Sequence, residues 1–219
     1  MIKGIIFDLD GVICSTDVYH FEAWKQTMKK LGVNIDQNTM DKLRGVGRVE
    51  GFKMMLNDAK ITLSEQEIIK YCDEKNELYK NLLNKMSYSD VSDENRAALY
   101  KLKEKGIRLA IGSSSKNARL VLEKIGLRDF FDAVSDGNDL KAAKPDPEVF
   151  LKAADMIELP PAECFVVEDA ESGIDAAKNG GFTAIGISAA AKYERTDYPI
   201  NSLSEIIGIL EKTGTETKI

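Results

Sequence analysis

At 219 residues the chain has room for one larger domain carrying an insertion, or for two small ones, and for a sizeable buried core. A composition that is 43% hydrophobic and 30% charged is that of an ordinary soluble globular protein, and a net charge of −6 argues against nucleic acid or an anionic membrane as the main partner. No apolar run approaches a membrane span, no export leader is recognisable at the N-terminus, and the odd, widely spaced cysteines Cys14, Cys72 and Cys164 suit reduced thiols, so a cytoplasmic setting is expected.

The first element is an apolar run, Ile2 to Phe7, too brief for an independent helix and followed by a glycine turn at Gly11. It reads as a buried strand of the parallel-sheet kind. The run delivers two acids, Asp8 and Asp10. Alternate residues of an extended segment project to one side, so the two carboxylates can converge on one point. Carboxylates that close repel each other unless a cation or a proton lies between them, and magnesium with a phosphorylated substrate suits that chemistry. An isolated Asp-x-Asp is more often an exposed acidic turn, so its meaning depends on the loops at the other strand ends.

From Thr16 to Met86 only helical patterns occur. Val18, Phe21, Trp24, Met28 and Leu31 recur at helical spacing and stop at Gly32. Ser64 and Glu67 form a capping box for a helix that includes Ile68, Ile69, Tyr71, Leu78, Tyr79 and Leu82. From Ser92 onward helix and strand alternate. A helix ends near Gly106, a strand runs from Ile107 to Ile111, a helix ends at Gly126 and a short strand covers Phe131 to Val134. Asp146-Pro147 opens a helix, Cys164 to Val167 is a strand, a helix runs to Gly180-Gly181, and a strand covers Thr183 to Ile187. This alternation implies an α/β fold with a doubly wound, Rossmann-like parallel sheet. A lone N-terminal strand cannot cover its own edges, so it must join that sheet. The expected domains are a core of residues 1–15 and 88–219 and a helical cap of residues 16–87, inserted after the first strand.

Three further strand ends carry polar loops. Ser113, Ser115, Lys116 and Asn117 offer hydroxyls and a helix N-terminus suited to a phosphate; Lys144-Pro145 offers a lysine on a stiffened backbone; Glu168-Asp169, with Gly173 beyond it, is a second acidic pair. Each alone has an ordinary reading as a cap, a solvated cation or a dipole partner. Together with Asp8 and Asp10 at one edge of one sheet, they describe a site that handles phosphate.

Asp8-Leu9-Asp10-Gly11-Val12, Ser113, Lys144-Pro145 and Glu168-Asp169 resemble the four motifs of the haloacid dehalogenase superfamily, over essentially the whole chain. Within it, His20-Phe21-Glu22-Ala23-Trp24, Leu43-Arg44-Gly45-Val46-Gly47-Arg48, Lys75-Asn76 and Ser115-Lys116-Asn117 are similar to the β-phosphoglucomutase family. That resemblance implies Asp8 as the nucleophile that becomes an aspartyl phosphate, and Asp10 as general acid and base, with only its backbone carbonyl on the metal. It implies a magnesium site at Asp8, Asp10, Glu168 and Asp169, and stabilisation of the moving phosphoryl group by Ser113 and Lys144. Substrate binding falls to His20, Trp24, Gly45, Val46, Arg48, Lys75, Asn76, Ser115, Lys116 and Asn117. Among these, Arg48 and Ser115 to Asn117 take a second phosphate, His20 is auxiliary at the hinge, and Trp24 belongs to the cap core or a pocket wall.

The implied reaction interconverts β-D-glucose 1-phosphate and D-glucose 6-phosphate in a monomer, with glucose 1,6-bisphosphate as intermediate and activator. The alternatives are a phosphatase for small sugar phosphates, a mutase for a disaccharide phosphate, and a non-catalytic phosphosugar-binding protein. The chain departs from the family pattern at Val91-Ser92-Asp93-Glu94, where a Pro-Gly turn is usual; Ser92 and Asp93 can still cap the next helix. The polar tail from Thr213 to Ile219 is expected to fray.

Overall fold

A computed structural model describes residues 1–43 and 46–215. Six strands form one parallel sheet: β1 (Gly4–Phe7), β2 (Arg108–Gly112), β3 (Ala133–Ser135), β4 (Cys164–Glu168), β5 (Thr183–Gly186) and β6 (Tyr198–Pro199). Their spatial order is β3-β2-β1-β4-β5-β6. The chain therefore leaves β1 to one side for two strands and returns to its other side for three, which makes the end of β1 the topological switch point where such sheets place ligands. Ile5, Ile6 and Phe7 are fully buried, as a central strand covered on both faces requires. Phe7 lies in register with both Ile111 and Val167, so Asp8, Gly112 and Glu168 fall in one row along the carboxyl edge.

The chain divides into two compact units, Thr16–Met86 and the remainder from Met1–Ser15 and from Ser87 onward. The first is helical: α1 (Asp17–Lys30), α2 (Gln37–Asp41), α3 (Arg48–Asp58) and α4 (Glu65–Leu83). Trp24, Met28, Phe52, Met55, Leu56, Ile68 and Cys72 fill its core, and the Trp24 and Phe52 rings stack with centroids 5.4 Å apart. The Ser64–Glu67 capping box is present in both directions at the start of α4. The second unit adds α5 (Asp93–Glu104), α6 (Ala118–Lys124), α7 (Glu148–Met156), α8 (Glu171–Asn179) and α9 (Glu205–Thr215) to the sheet. Ile6, Ala110 and Val166 of the sheet share a buried cluster with Phe150, Ala153 and Ile157 of and beside α7 and with Ile174 and Ala177 of α8. The alanines let these helices approach the strands closely. Ser92 accepts a hydrogen bond from the Asn95 amide, so α5 is capped without a Pro-Gly turn.

Several boundaries differ from those read along the chain. β3 starts at Ala133 rather than Phe131, because the Phe131 ring packs edge-on against Phe7 and Phe130 instead of joining the ladder. Helices α2, α3 and α9 and the two-residue edge strand β6 add to the elements read along the chain. Thr213, expected to fray, is instead within α9, where its hydroxyl donates to the carbonyls of Ile209 and Leu210. Residues 216–219 and the substrate-binding candidate Gly45, with Arg44, lie outside the described residues. None of the described helices is long and apolar enough to cross a membrane.

Candidate active site

The carboxyl edge of β1 is built first by the ladder itself. The Asp8 amide donates to the Val167 carbonyl at 2.9 Å, which carries the pairing one residue past the strand and leaves Asp8 buried at 7% exposure. The Lys144 ammonium stands 2.5 Å from Asp8 Oδ1 and 2.5 Å from Glu168 Oε1, bridging the ends of β1 and β4. Glu168 Oε2 accepts from the amides of Asp169 and Ala170 at 2.8 and 2.9 Å. A buried lysine set between two carboxylates is fully explicable only as a charge network, since a lone buried charge is expensive. Burial works against the Lys144 ammonium, but Asp8 and Glu168 outweigh it and push its pKa well up, so the lysine stays charged. Burial, then Glu168 and Asp10, push the Asp8 carboxyl well above its usual range, against the pull of Lys144. One lysine is not enough positive charge for this edge.

Two glycines make room for the acids. An added Cβ at Gly173 would lie 2.0 Å from Glu168 Cδ, and one at Gly11 would lie 2.2 Å from Asp169 Oδ2. Gly11 also has φ +88°, in the left-handed region that glycine adopts without strain. Asp169 is thereby seated against the turn after Asp8 and Asp10. That turn is closed by the Gly11 amide on the Cys14 carbonyl at 2.8 Å, and Asn95 Nδ2 reaches the Val12 and Ile13 carbonyls from α5. Among the described residues no three acidic, histidine or cysteine side chains gather at metal-binding spacing. Glu168, expected among the metal ligands, has one oxygen on Lys144 and the other on two backbone amides. The oxygen donors that suit a hard cation here are Asp8 and Asp169, helped by main-chain carbonyl oxygen, and the surplus negative charge at the Asp8 edge fits a divalent cation.

The loop after β2 supplies hydroxyls. Ser113 is 1% exposed; its amide donates to the Ser135 carbonyl at 3.0 Å and its Oγ accepts from the Ser115 amide at 3.1 Å. Ser115 Oγ accepts from the Asn117 amide at 3.2 Å. Lys116 is exposed and Asn117 buried. With its oxygen engaged as acceptor by an amide, the Ser113 hydroxyl keeps its own hydrogen to donate.

In the helical unit, His20, Trp24 and Lys75 come together. Lys75 is buried at 2% exposure, its ammonium 2.8 Å from His20 Nδ1 and 4.9 and 4.7 Å from the Trp24 and Tyr79 ring centres. The His20 ring stacks on Tyr79 at 4.0 Å. An ammonium can only donate, so Nδ1 accepts and the imidazole hydrogen sits on Nε2. Burial, then the cations Lys75 and Arg48, push the His20 pKa well below its usual value, so the ring is neutral. Arg48 opens α3, half-buried, with its carbonyl near the Cys72 thiol; Val46 and Asn76 are half-buried on the loop before α3 and on α4. Trp24 lies within the apolar cluster of this unit. The supporting groups Asn95 and Gly173, and the salt-bridged arrangement of Glu168, carry no local signal in the sequence beyond the glycine itself, because their roles depend on which strand ends adjoin.

A family model for haloacid dehalogenase-like hydrolases matches residues 2–181. A β-phosphoglucomutase of Bacillus subtilis is 34% identical over 208 residues, covering 93% of this chain and 91% of that protein. A phosphorylated carbohydrates phosphatase of Thermotoga maritima is 29% identical over 188 residues, covering 84% of this chain and 83% of that protein. The crystal structure of a β-phosphoglucomutase from Clostridium difficile superposes with a TM-score of 0.90 at 32% identity, covering 99% of each chain.

Proposed function

This chain belongs to the haloacid dehalogenase-like hydrolase family, and on that ground we propose that it is a magnesium-dependent sugar phosphomutase that interconverts β-D-glucose 1-phosphate and D-glucose 6-phosphate. The relatives support the coarser statement, a mutase or phosphatase of sugar phosphates. The observation that carries the chemistry is the buried Asp8 carboxylate at the end of the central strand, held by Lys144 against Glu168.

An Asp8 oxygen attacks the phosphorus of the substrate and forms an aspartyl phosphate, while Asp10 gives a proton to the departing sugar oxygen. An ordinary aspartate titrates near ~3.9, so Asp10 serves as an acid only if it stays off the metal. Lys144 and the Ser113 hydroxyl stabilise the equatorial oxygens of the transferring group. In the return step Asp10 takes the proton from the other hydroxyl of a bound sugar phosphate, whose oxygen attacks the aspartyl phosphate. Glucose 1,6-bisphosphate is thus formed and, when it rebinds turned end for end, consumed. Magnesium would be held by Asp8, Asp169 and the Asp10 carbonyl, where it would neutralise charge on the phosphoryl oxygens. Ser115, Lys116 and Asn117 bind the phosphate that does not react, a role that the family resemblance also gives to Arg48, and the protein acts as a monomer.

The similarity to a phosphorylated carbohydrates phosphatase keeps hydrolysis as the second reading, in which water discharges the same aspartyl phosphate. A coupled assay separates the two. With β-glucose 1-phosphate, magnesium and a trace of glucose 1,6-bisphosphate, glucose 6-phosphate should appear faster than inorganic phosphate; phosphate release without isomerisation overturns the mutase. Asp8→Asn should abolish both products.

A further inference from the structure

Asp136 is a carboxylate 1% exposed at the end of β3, and the proposed phosphoryl transfer makes no use of it. Its Oδ1 accepts from the amide and from the side-chain Nδ2 of Asn138, each at 2.9 Å. Its Oδ2 faces Arg119 Nε at 3.0 Å, a charge contact outside hydrogen-bond geometry, while Arg119 Nη2 donates to the Val134 carbonyl at 2.8 Å. The turn so formed leans on the loop after β2. Asn138 Nδ2 also donates to the Lys116 carbonyl at 3.0 Å, and the Gly137 amide donates to the Ser115 carbonyl at 3.2 Å. Gly137 approaches so closely that an added Cβ would lie 2.3 Å from the Ser114 carbonyl oxygen and 3.0 Å from the Lys116 amide. All these contacts are to main chain, so they shape the loop without using the Ser115 hydroxyl or the Lys116 ammonium.

We infer that the Asp136-Gly137-Asn138 turn is a positioning device that sets the grip of the Ser115–Asn117 loop on the substrate's non-reacting phosphate, and so decides whether a sugar bisphosphate is retained. The inference rests on the mutase reading. Two-point tethering by a turn anchored on the buried Asp136 carboxylate fixes the loop more tightly than its own short-range bonds, Ser115 amide to Ser113 and Asn117 amide to Ser115, could do alone. A loop displaced by even a fraction of an ångström loses much of its value for orientation.

The test uses full-length Asn138→Ala and Gly137→Ala, with Asp136→Asn as the partner that keeps the Oδ1 acceptor and removes the charge. Two substrates are compared: acetyl phosphate, whose one phosphoryl group reads only the phosphorylation of Asp8, and β-glucose 1-phosphate with glucose 1,6-bisphosphate. Loss of one hydrogen bond to a preorganised loop should raise the KM for glucose 1,6-bisphosphate about tenfold. The rate of magnesium-dependent turnover of acetyl phosphate should stay within about twofold of the parent. Gly137→Ala should exceed Asn138→Ala, since it must move backbone rather than remove the two Nδ2 hydrogen bonds. Parallel losses with both substrates, or an unchanged KM for the bisphosphate in Gly137→Ala, would overturn the inference. If the unmodified protein turns over acetyl phosphate but does not isomerise β-glucose 1-phosphate, the mutase reading itself has failed, whatever the variants do.

Discussion

Lys144 shows how much one side chain can be asked to do when it is buried between two acids. Its ammonium pairs with both Asp8 and Glu168, at 2.5 Å each, so removing it leaves two buried carboxylates without their shared cation. Lys144→Ala should therefore lower kcat by roughly 10²–10³, the usual result of deleting one preorganised charge donor, and single-turnover rates would check it. His20 offers a pH signature in the helical unit. Its folded pKa lies below the unfolded value of ~6.5, so the unfolded chain takes up the proton first as the pH falls. Its contribution to stability is complete above about pH 6.5 and is lost progressively below it. Thermal unfolding should show the parent losing more stability than His20→Gln on acidification from about pH 7.5 to 5.5.

Among the elements, local chemistry and packing can be told apart by where they act. The Ser64–Glu67 capping box begins α4 and satisfies the Ser64 and Glu67 amides reciprocally, at 2.8 and 3.3 Å. Ser64→Ala should destabilise the protein by about 1 kcal/mol in denaturant unfolding while leaving turnover unchanged. That helix start is legible in the sequence because the box is a short-range motif. The strands are legible too, as short apolar runs, since β1, β2, β4 and β5 are buried on both faces. By contrast α2 is five residues long, and α3 buries only Gly51, Phe52, Met55 and Leu56. Their pattern is complete only when the α4 residues Ile68 and Cys72 close over it. The Phe131 ring, similarly apolar, reads as strand yet turns out to fill space beside Phe7, a choice made by the neighbouring strand.

Across the molecule, the proposed mutase differs from a phosphatase in needing groups that hold a second phosphate. Arg48→Ala should reduce isomerisation of β-glucose 1-phosphate by at least about tenfold while leaving any phosphate release much less changed, and equal losses would remove Arg48 from that role. The class of fold and the inventory of the core loops are written in the chain pattern, because parallel strands announce themselves as apolar runs and because Asp8, Asp10, Ser113, Lys144, Glu168 and Asp169 all lie at or beyond the ends of such runs. The division of labour among those residues appears only in three dimensions. Glu168 proves to be committed to Lys144 and two backbone amides, and Asp136, silent in the sequence, is buried as the anchor of a turn. Charge and hydrogen bonding depend on distance through space, and the strand order β3-β2-β1-β4 brings together residues as far apart along the chain as Phe7 and Val167, 160 positions.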